Sequence, residues 1–152
     1  QGYMSYGYDT DSNALHTNYN TLTSNEIIDG SKVFVEDAVD FVEDLTAEKV
    51  AEHMLPNTKL VYLETVGNPK GDVLDLRSIS DEAHKHNVPV MIDNTFAPGM
   101  CKPIEHGVDI VIHSLTKWIG GHGTSVGGVL IDGGNFNWGN GKFPEFTEPD
   151  MS

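Results

Sequence analysis

Short apolar runs rich in valine, isoleucine and leucine constrain the fold of this chain more than any other feature. They lie at residues 60–63, 88–92 and 108–112, and a fourth lies at 126–131. Unbroken runs, in contrast to strict alternation, predict strands that are covered on both faces. With a helix-like stretch between the first two runs and short joints, the order predicts an α/β domain, a mostly parallel sheet flanked by helices. Beyond Gly133 the turn-rich, aromatic tail predicts a surface loop.

One helix between the first two runs is well marked. Asp75 can cap its N-terminus, and Leu76, Ile79 and Ala83 recur on one face, so the pattern predicts a helix through Asn87.

Before residue 59 the signals are weaker. The first 25 residues are polar and predict a loop or a segment whose packing partner is absent, and residues 32–35 predict a short strand. Residues 36–44 are acidic and are interpreted as a solvated face. Residues 46–49 have N-cap character and predict a helix that leads toward Met54.

Composition limits the class of protein. The 152 residues suffice for one domain with a core, and 38% are hydrophobic without a run long enough to span a bilayer. This predicts a soluble protein that does not bind membranes. Acidic residues outnumber basic ones by 23 to 9, a net charge of −14, which argues against nucleic-acid binding. The single cysteine, Cys101, cannot form an internal disulfide, which is typical of the cytoplasm.

A lysine follows the third run in an unusual setting. Residues 113–128 read HSLTKWIGGHGTSVGG, and Lys117 lies between the hydroxyls of Ser114 and Thr116 and a series of glycines. At a strand end the lysine is expected to be buried or half-buried, which would favour the neutral amine that attacks carbonyls. Glycines let backbone amides approach an anion. The combination suits an aldehyde that carries a phosphate, such as pyridoxal phosphate, although a lone lysine near glycines is more often simply part of the surface.

Polar residues follow the other runs as well. Glu64 and Asn68 come after the first run, and Asp93 comes after the second. In a parallel sheet these ends meet along one edge, where α/β proteins bind ligands. Asp93 has two interpretations, a turn cap in Asp-Asn-Thr or a partner for a pyridinium nitrogen. Asn68 lies in Gly-Asn-Pro, which is also an ordinary turn.

Three segments resemble one enzyme family. SLTKWIGGHGTSVGG at residues 114–128 closely resembles the lysine loop of the Cys/Met-metabolism family of pyridoxal-phosphate-dependent enzymes. VMIDNTFA at 90–97 and the E-x-x-x-N-P element at 64–69 resemble two further family elements. The resemblance is good over 59–150 and poor over 1–58. It implies that residues 1–152 are a partial pyridoxal-phosphate-binding large domain of the fold-type I, aspartate-aminotransferase-like kind.

The resemblance also implies roles for individual residues. Lys117 would form the Schiff base with the cofactor, Asp93 would pair with the ring nitrogen, and Asn68 would contact the phenolic oxygen. Ser114 and Thr116 would bind the phosphate.

A more distant match concerns residues 12–16, SNALH, which resemble the family's S-N-x-L-Y element. The tyrosine of that element stacks on the pyridine ring. His16 stands in its place here, and an imidazole can also stack on a pyridine.

Within the family, the glycine loop and the aromatic tail resemble the O-acetylhomoserine sulfhydrylase branch. This implies γ-replacement on O-acetylhomoserine with sulfide or a thiol, giving homocysteine or methionine plus acetate, with Lys117 moving protons between substrate carbons. It also implies a homo-oligomer, a dimer of dimers. Cystathionine γ-synthase, cystathionine γ-lyase and methionine γ-lyase activities are alternatives. A catalytically incomplete cofactor-binding fragment and a non-enzymatic α/β module are alternatives of other classes.

The remaining candidates receive structural interpretations. His84 and His86 are expected to be solvated on the helix, Cys101 to be a small core filler, and Trp118 to pack in the core. Arg77 lies on the helix, so the substrate-carboxylate arginine is expected in a domain beyond this chain. Other family contacts are expected upstream of residue 1 and on a neighbouring subunit.

Overall fold

The structure is a computed structural model that describes residues 39–149 and, for the backbone, residues 7–8 and 15–16. The chain divides into two compact units, Gln1–Glu43 and Asp44–Ser152. In the first unit, strand β1 (Gly7–Tyr8) pairs antiparallel with β2 (Leu15–His16). The strand expected at 32–35 lies outside the described residues. Of the acidic stretch at 36–44, residues 39–44 form no helix and are mostly exposed, in agreement with the interpretation as a solvated face, and residues 36–38 lie outside the described residues.

The second unit alternates strands and helices as the sequence predicts. Its elements are α1 (Ala47–His53), β3 (Val61–Glu64), α2 (Leu76–Lys85), β4 (Val90–Asp93), a 3₁₀ turn (Pro103–His106), β5 (Ile110–Ser114), a π-helical turn (Leu115–Ile119), β6 (Gly128–Asp132) and α3 (Pro144–Thr147). None of the described helices is long and apolar enough to cross a membrane.

Two helix starts are confirmed by their caps. The Thr46 side chain accepts a hydrogen bond from the Lys49 N–H at the start of α1, and Asp75 accepts one from the Ser78 N–H at the start of α2. Each cap satisfies a backbone donor that has no partner within the helix. Helix α2 ends two residues before the predicted end at Asn87, which has the positive φ of 57°.

The sheet has the order β3-β4-β5-β6. Strands β3, β4 and β5 are parallel, which confirms a mostly parallel sheet, whereas β6 runs antiparallel to β5. Parallel neighbours need a crossover connection, usually a helix. The segment between β5 and β6 holds a π-helical turn and a glycine loop instead, so the chain turns back beside β5.

One face of the sheet carries the core. The residues buried there come from the strands, from α1 and α2 and from the approach to β5: Val50, Leu63, Leu76, Ile79, Ala83, Val90, Ile92, Val108 and Val111. On the other face Ile110 is buried, Met91 and Ile112 are half-buried, and β6 is exposed along its length. The expectation that all four strands are covered on both faces is therefore wrong for β6, because α1 and α2 pack on the same side of the sheet and no described element covers β6.

The tail is more ordered than the surface loop that its turn residues predict. The rings of Phe136, Trp138, Phe143 and Phe146 contact one another, with neighbouring centroids 4.8–6.2 Å apart, and most pairs meet edge to face. Phe143 is only 4% exposed. The Lys59 ammonium lies 5.1 Å from its ring centroid and donates to the Lys142 carbonyl. Aromatic packing and a cation–π contact thus hold the tail beside the start of β3.

Candidate active site

The carboxyl ends of β3, β4 and β5 bring the predicted polar residues to one edge of the sheet. Glu64 pairs in register with Asp93, and Asp93 pairs with Ile112. Ser114 lies two residues beyond Ile112 on β5. Because side chains alternate along a strand, Glu64, Asp93 and Ser114 point to the same face, opposite the face that packs on α2. The edge therefore gathers two carboxylates and a hydroxyl from three strands.

Asp93 is half-buried, and its carboxylate has a fixed direction. The Thr95 N–H donates to Asp93 Oδ1 over 2.8 Å, which closes a turn at the end of β4. The turn-cap interpretation therefore holds for this oxygen. Oδ2 has no hydrogen-bond partner within residues 39–149, which leaves it available to a ligand at this edge.

Sequence reasoning missed Thr95. Its side chain links two strand ends, because the Ser114 N–H donates to Thr95 Oγ1 over 2.7 Å. The same residue thus contacts Asp93 through its backbone and Ser114 through its hydroxyl. Its place in Asp-Asn-Thr was the only signal, and that signal indicates a turn without naming the partner.

A second buried network supports the same turn. Asn94 is 2% exposed, and its Oδ1 accepts from the Thr65 hydroxyl over 2.8 Å. Its side-chain NH₂ donates to the Cys101 carbonyl over 3.1 Å. Cys101 is half-buried against the core, which confirms it as a filler, and burial raises the pKa of its thiol. Buried and satisfied, these polar groups fix the backbone that carries Asp93.

Lys117 lies three residues beyond β5, in the π-helical turn. The turn is closed by a 2.8 Å bond from the Gly120 N–H to the Leu115 carbonyl, and the backbone at Lys117 itself is non-helical, with φ −90° and ψ −121°.

The surroundings of Lys117 correct two expectations. Lys117 is exposed, not half-buried, and Trp118 is 63% exposed, not packed in the core. The Trp118 ring contacts Phe96 edge to face at 6.1 Å. Residues 121–132 are exposed throughout, so no described element covers the lysine segment from that side.

Thr116 is tied to the far end of the glycine loop. Its Oγ1 accepts from the Gly127 N–H over 3.0 Å, and its hydroxyl lies 3.3 Å from the Gly127 carbonyl that it can donate to. Gly121 and Gly123, with φ of 73° and 66°, make the bends between these ends. A role of Thr116 toward a phosphate would require its hydroxyl proton to turn from Gly127.

Asn68 and Glu64 form a local turn. The Asn68 N–H donates to Glu64 Oε2 over 3.1 Å, and both side chains are exposed. The E-x-x-x-N-P element is therefore closed by its own glutamate, and the contact of Asn68 with a cofactor stays a prediction. His16 lies in β2, where only the backbone is described, so its predicted stacking lies outside the described residues.

At the opposite edge of the sheet, His84 corrects another expectation. Its Nε2 lies 2.8 Å from Oδ2 of Asp109, a carboxylate that is 2% exposed and also accepts from the Val90 N–H over 2.8 Å. His84 is thus a partner of a buried acid, whereas His86 pairs with Glu82 at the surface. Among residues 39–149, no three His, Cys, Asp or Glu side chains are placed to hold a metal ion.

Comparison with known proteins connects this edge with an enzyme family. The sequence profile described as "Cys/Met metabolism PLP-dependent enzyme" matches residues 19–146. O-acetyl-L-homoserine sulfhydrylase of Leptospira meyeri is 53% identical over 115 residues, which are 75% of this chain and 26% of that protein. Homocysteine/cysteine synthase of Saccharomyces cerevisiae is 51% identical over 113 residues, 72% of this chain and 26% of that protein.

Solved structures agree on the fold. A Campylobacter jejuni protein described as an O-acetylhomoserine (thiol)-lyase, which carries N'-pyridoxyl-lysine-5'-monophosphate, has a TM-score of 0.57 and 35% identity over 60% of this chain and 22% of its own. Cystathionine γ-lyase of Lactobacillus plantarum, complexed with L-serine, has a TM-score of 0.55 and 39% identity over 57% of this chain and 23% of its own.

The chain spans about a quarter of the length of the curated relatives that it matches. Its sheet is the mostly parallel α/β sheet of fold-type I enzymes. The chain belongs to the Cys/Met-metabolism family of pyridoxal-phosphate-dependent enzymes.

Proposed function

We propose that residues 1–152 are part of the large domain of a pyridoxal-phosphate-dependent transferase that performs γ-replacement on O-acetylhomoserine. Sulfide or a thiol replaces acetate, so homocysteine or methionine is the product. The observation that carries this proposal is the placement of Asp93, Ser114 and the Lys117 segment at the same edge of the sheet. Relatives at about 50% identity named as sulfhydrylases and homocysteine synthases support the choice of reaction.

The chemistry of the residues at this edge fits the cofactor. A half-buried carboxylate, two hydroxyls and a primary amine match a ring nitrogen, a phosphate and an aldehyde. When bound, pyridoxal phosphate supplies an electron sink for negative charge that develops on the substrate.

Each residue has a defined task in this proposal. Asp93 Oδ2 would accept a hydrogen bond from the protonated ring nitrogen, and the Ser114 and Thr116 hydroxyls would donate to the phosphate. Asn68 donates its side-chain NH₂ to the phenolic oxygen. Lys117 Nζ holds the cofactor before the substrate arrives and afterwards moves a proton between substrate carbons.

The wider setting is also part of the proposal. His16 would stack on the pyridine ring, and the enzyme would be cytoplasmic and a dimer of dimers. The large exposed apolar side chains in and beside the lysine segment, Phe96, Trp118 and Val126, support a contact there with other parts of the enzyme or with a second subunit.

Covalent labelling tests the proposal in the full-length protein that carries this chain. The protein is incubated with pyridoxal phosphate, its visible absorbance is recorded, and borohydride reduction is followed by mass spectrometry. We expect the label on Lys117 and its loss in Lys117→Ala. The control is Lys102→Ala, since Lys102 is an exposed lysine paired with Glu105, and this variant should keep the label. Label on another lysine, or none, contradicts the proposal.

A second candidate is a cofactor-binding fragment without turnover. The exposure of Lys117 and the quarter-length coverage of the relatives favour it for the isolated 152 residues. Acetate release from O-acetylhomoserine with sulfide, measured for the full-length protein and for the 152-residue chain in parallel, separates the two. Acetate release from the full-length protein but not from the labelled 152-residue chain would support the fragment for the isolated residues, whereas labelling without acetate release from the full-length protein would contradict the transferase.

A further inference from the structure

Thr95 stands between the two halves of the proposed site. Its N–H holds Asp93 Oδ1 at 2.8 Å, and its Oγ1 accepts the Ser114 N–H at 2.7 Å. The first bond acts on the group proposed for the ring nitrogen. The second acts on the backbone where β5 passes into the lysine segment. Thr95 therefore connects Asp93, through its backbone N–H, with Ser114, through its half-buried side chain, although Ser114 lies 19 positions further along the chain than Thr95.

The neighbouring residues are tied to other strands by their backbones. The Thr65 N–H donates to the Asp93 carbonyl over 3.0 Å, and the Asn94 N–H donates to the Ile112 carbonyl over 2.9 Å. These bonds continue the sheet and would be kept whatever the side chain at 95. The bond of Thr95 Oγ1 differs, because it depends on the residue type and reaches the start of the segment that carries Lys117.

We propose that Thr95 is a positioning residue that sets the direction of the Asp93 carboxylate relative to Ser114 and the Lys117 segment. The inference rests on the proposed function. A rigid cofactor held at its ring nitrogen by one strand and at its aldehyde by the next requires a fixed spacing between these two points. Thr95 supplies it with two hydrogen bonds, and it takes no part in proton transfer.

Two substitutions of similar size separate the hydroxyl from the shape of the side chain. Thr95→Val keeps the branched shape and leaves the half-buried Ser114 N–H without its acceptor, whereas Thr95→Ser keeps the acceptor. We expect Thr95→Val to weaken retention of pyridoxal phosphate by about tenfold in the full-length protein. Thr95→Ser should retain the cofactor within about threefold of wild type. Thr58→Val is the matched control, since Thr58 Oγ1 also accepts a backbone N–H, that of Leu55, away from this edge.

A spectroscopic readout distinguishes positioning from general stability. The visible absorbance of the bound cofactor is titrated with pH in wild type, Thr95→Val, Thr95→Ser and Asp93→Asn. Thr95→Val keeps the N–H that contacts Asp93 Oδ1 and loses only the bond to the Ser114 N–H. We therefore expect its midpoint to move part of the way toward that of Asp93→Asn, because the turn that carries Asp93 is no longer tied to β5, and the midpoint of Thr95→Ser to stay at the wild-type value. In the Asp93→Asn background, Thr95→Val should move the midpoint no further, because the negative charge that Thr95 positions is absent.

The outcomes separate this inference from the proposed function. A wild-type protein without label on Lys117 overturns both. A labelled wild type with a Thr95→Val protein of unchanged retention and unchanged midpoint overturns the role of Thr95 alone. If Thr95→Val does not fold, as judged by its thermal unfolding, Thr95→Ala and Thr95→Ser are compared instead. Equal retention in that pair overturns the inference, and lower retention in Thr95→Ala supports it.

Discussion

Two aspartates on the same sheet show how differently a carboxylate can be used. Asp109 precedes β5 at the amino edge, is 2% exposed, and binds the Val90 N–H and His84 Nε2. Asp93 ends β4 at the carboxyl edge, is half-buried, and binds the Thr95 N–H through one oxygen. A buried carboxylate must be satisfied by the protein itself, so Asp109 serves the fold. A half-buried carboxylate with an oxygen to spare can serve a ligand.

The largest expected effect is on turnover, at Asp93. Asp93→Asn keeps an oxygen for the Thr95 N–H and removes the negative charge proposed for the ring nitrogen. We expect kcat of the full-length enzyme to fall by about 10²–10³-fold, as for other groups that stabilise developing charge. The unfolding free energy should stay within about 0.5 kcal/mol of wild type. Asp81→Asn is the control, since Asp81 is an exposed aspartate on α2. A kcat of Asp93→Asn within twofold of wild type would contradict a catalytic role of Asp93.

The opposite result is expected for Asp109. Asp109→Ala leaves the buried Val90 N–H without an acceptor, so we expect the unfolding free energy to fall by about 2 kcal/mol. Asp109→Asn, which keeps an acceptor of the same shape, should lose less. Denaturant unfolding measures the change, and hydrogen exchange at the Val90 amide should speed up in Asp109→Ala. The folded fraction of Asp109→Ala should keep the wild-type kcat. A loss of kcat with unchanged stability would mean that Asp109 serves the reaction and not the fold.

Removal of the imidazole beside Asp109 should have a smaller effect. The His84 side chain is 36% exposed, so water can replace part of its contact with the carboxylate. We expect His84→Leu to lower the unfolding free energy by about 1 kcal/mol, and His84→Gln, which can still donate to Asp109, by less.

His86 provides a matched control on the same helix. His86→Leu loses only a surface pair with Glu82, 3.4 Å long, and should change stability by less than about 0.5 kcal/mol. Equal losses at the two histidines would mean that Asp109 is held by the Val90 N–H alone.

The sequence predicts those parts of the fold that depend on local pattern. The runs around Val90 and Ile110 mark the strands because β-branched residues fit a buried sheet, and Asp75 marks the start of α2 because a cap is a local bond. The direction of β6 was not predictable in this way. An apolar run has the same appearance in a parallel and in an antiparallel strand, and only the absence of a helix between β5 and β6 distinguishes them.

Contacts between distant residues mark the limit for the site. Asp93 and Ser114 could be placed at one edge from the sequence, since each follows an apolar run. The bond from the Ser114 N–H to Thr95 joins residues 19 positions apart, and the bond from His84 to Asp109 joins residues 25 positions apart. No local sequence pattern predicts either bond. The burial of Lys117 was mispredicted for a related reason, because exposure depends on what packs over the lysine segment and not on the residues beside it.

A third aspartate tests whether position at the carboxyl edge is enough to make a carboxylate functional. Helix α2 returns from the end of β3 toward the start of β4, so its N-cap, Asp75, lies toward the same edge as Asp93. The Ser78 hydroxyl donates to Asp75 Oδ2 over 2.7 Å, and the Ser78 N–H donates to Oδ1 over 3.2 Å. Both oxygens are thus used by the helix, and we expect Asp75→Asn to leave kcat unchanged.

The effect of Asp75 should be visible only in acid, and it is the smallest of these predictions. The hydrogen bonds from the Ser78 hydroxyl and N–H hold the pKa of Asp75 below its ordinary value of 3.8. The stability that these bonds contribute is therefore fully present above that value and is lost as the pH falls through the lowered pKa of the folded state. Asn also caps helices but does not titrate, so Asp75→Asn should show a shallower fall of the thermal midpoint below about pH 4. If the thermal midpoints of wild type and Asp75→Asn fall identically below about pH 4, the cap is held by its backbone hydrogen bond regardless of charge. A loss of kcat at neutral pH would show that a position at the carboxyl edge is enough to make a carboxylate functional, without an oxygen that lacks a protein partner.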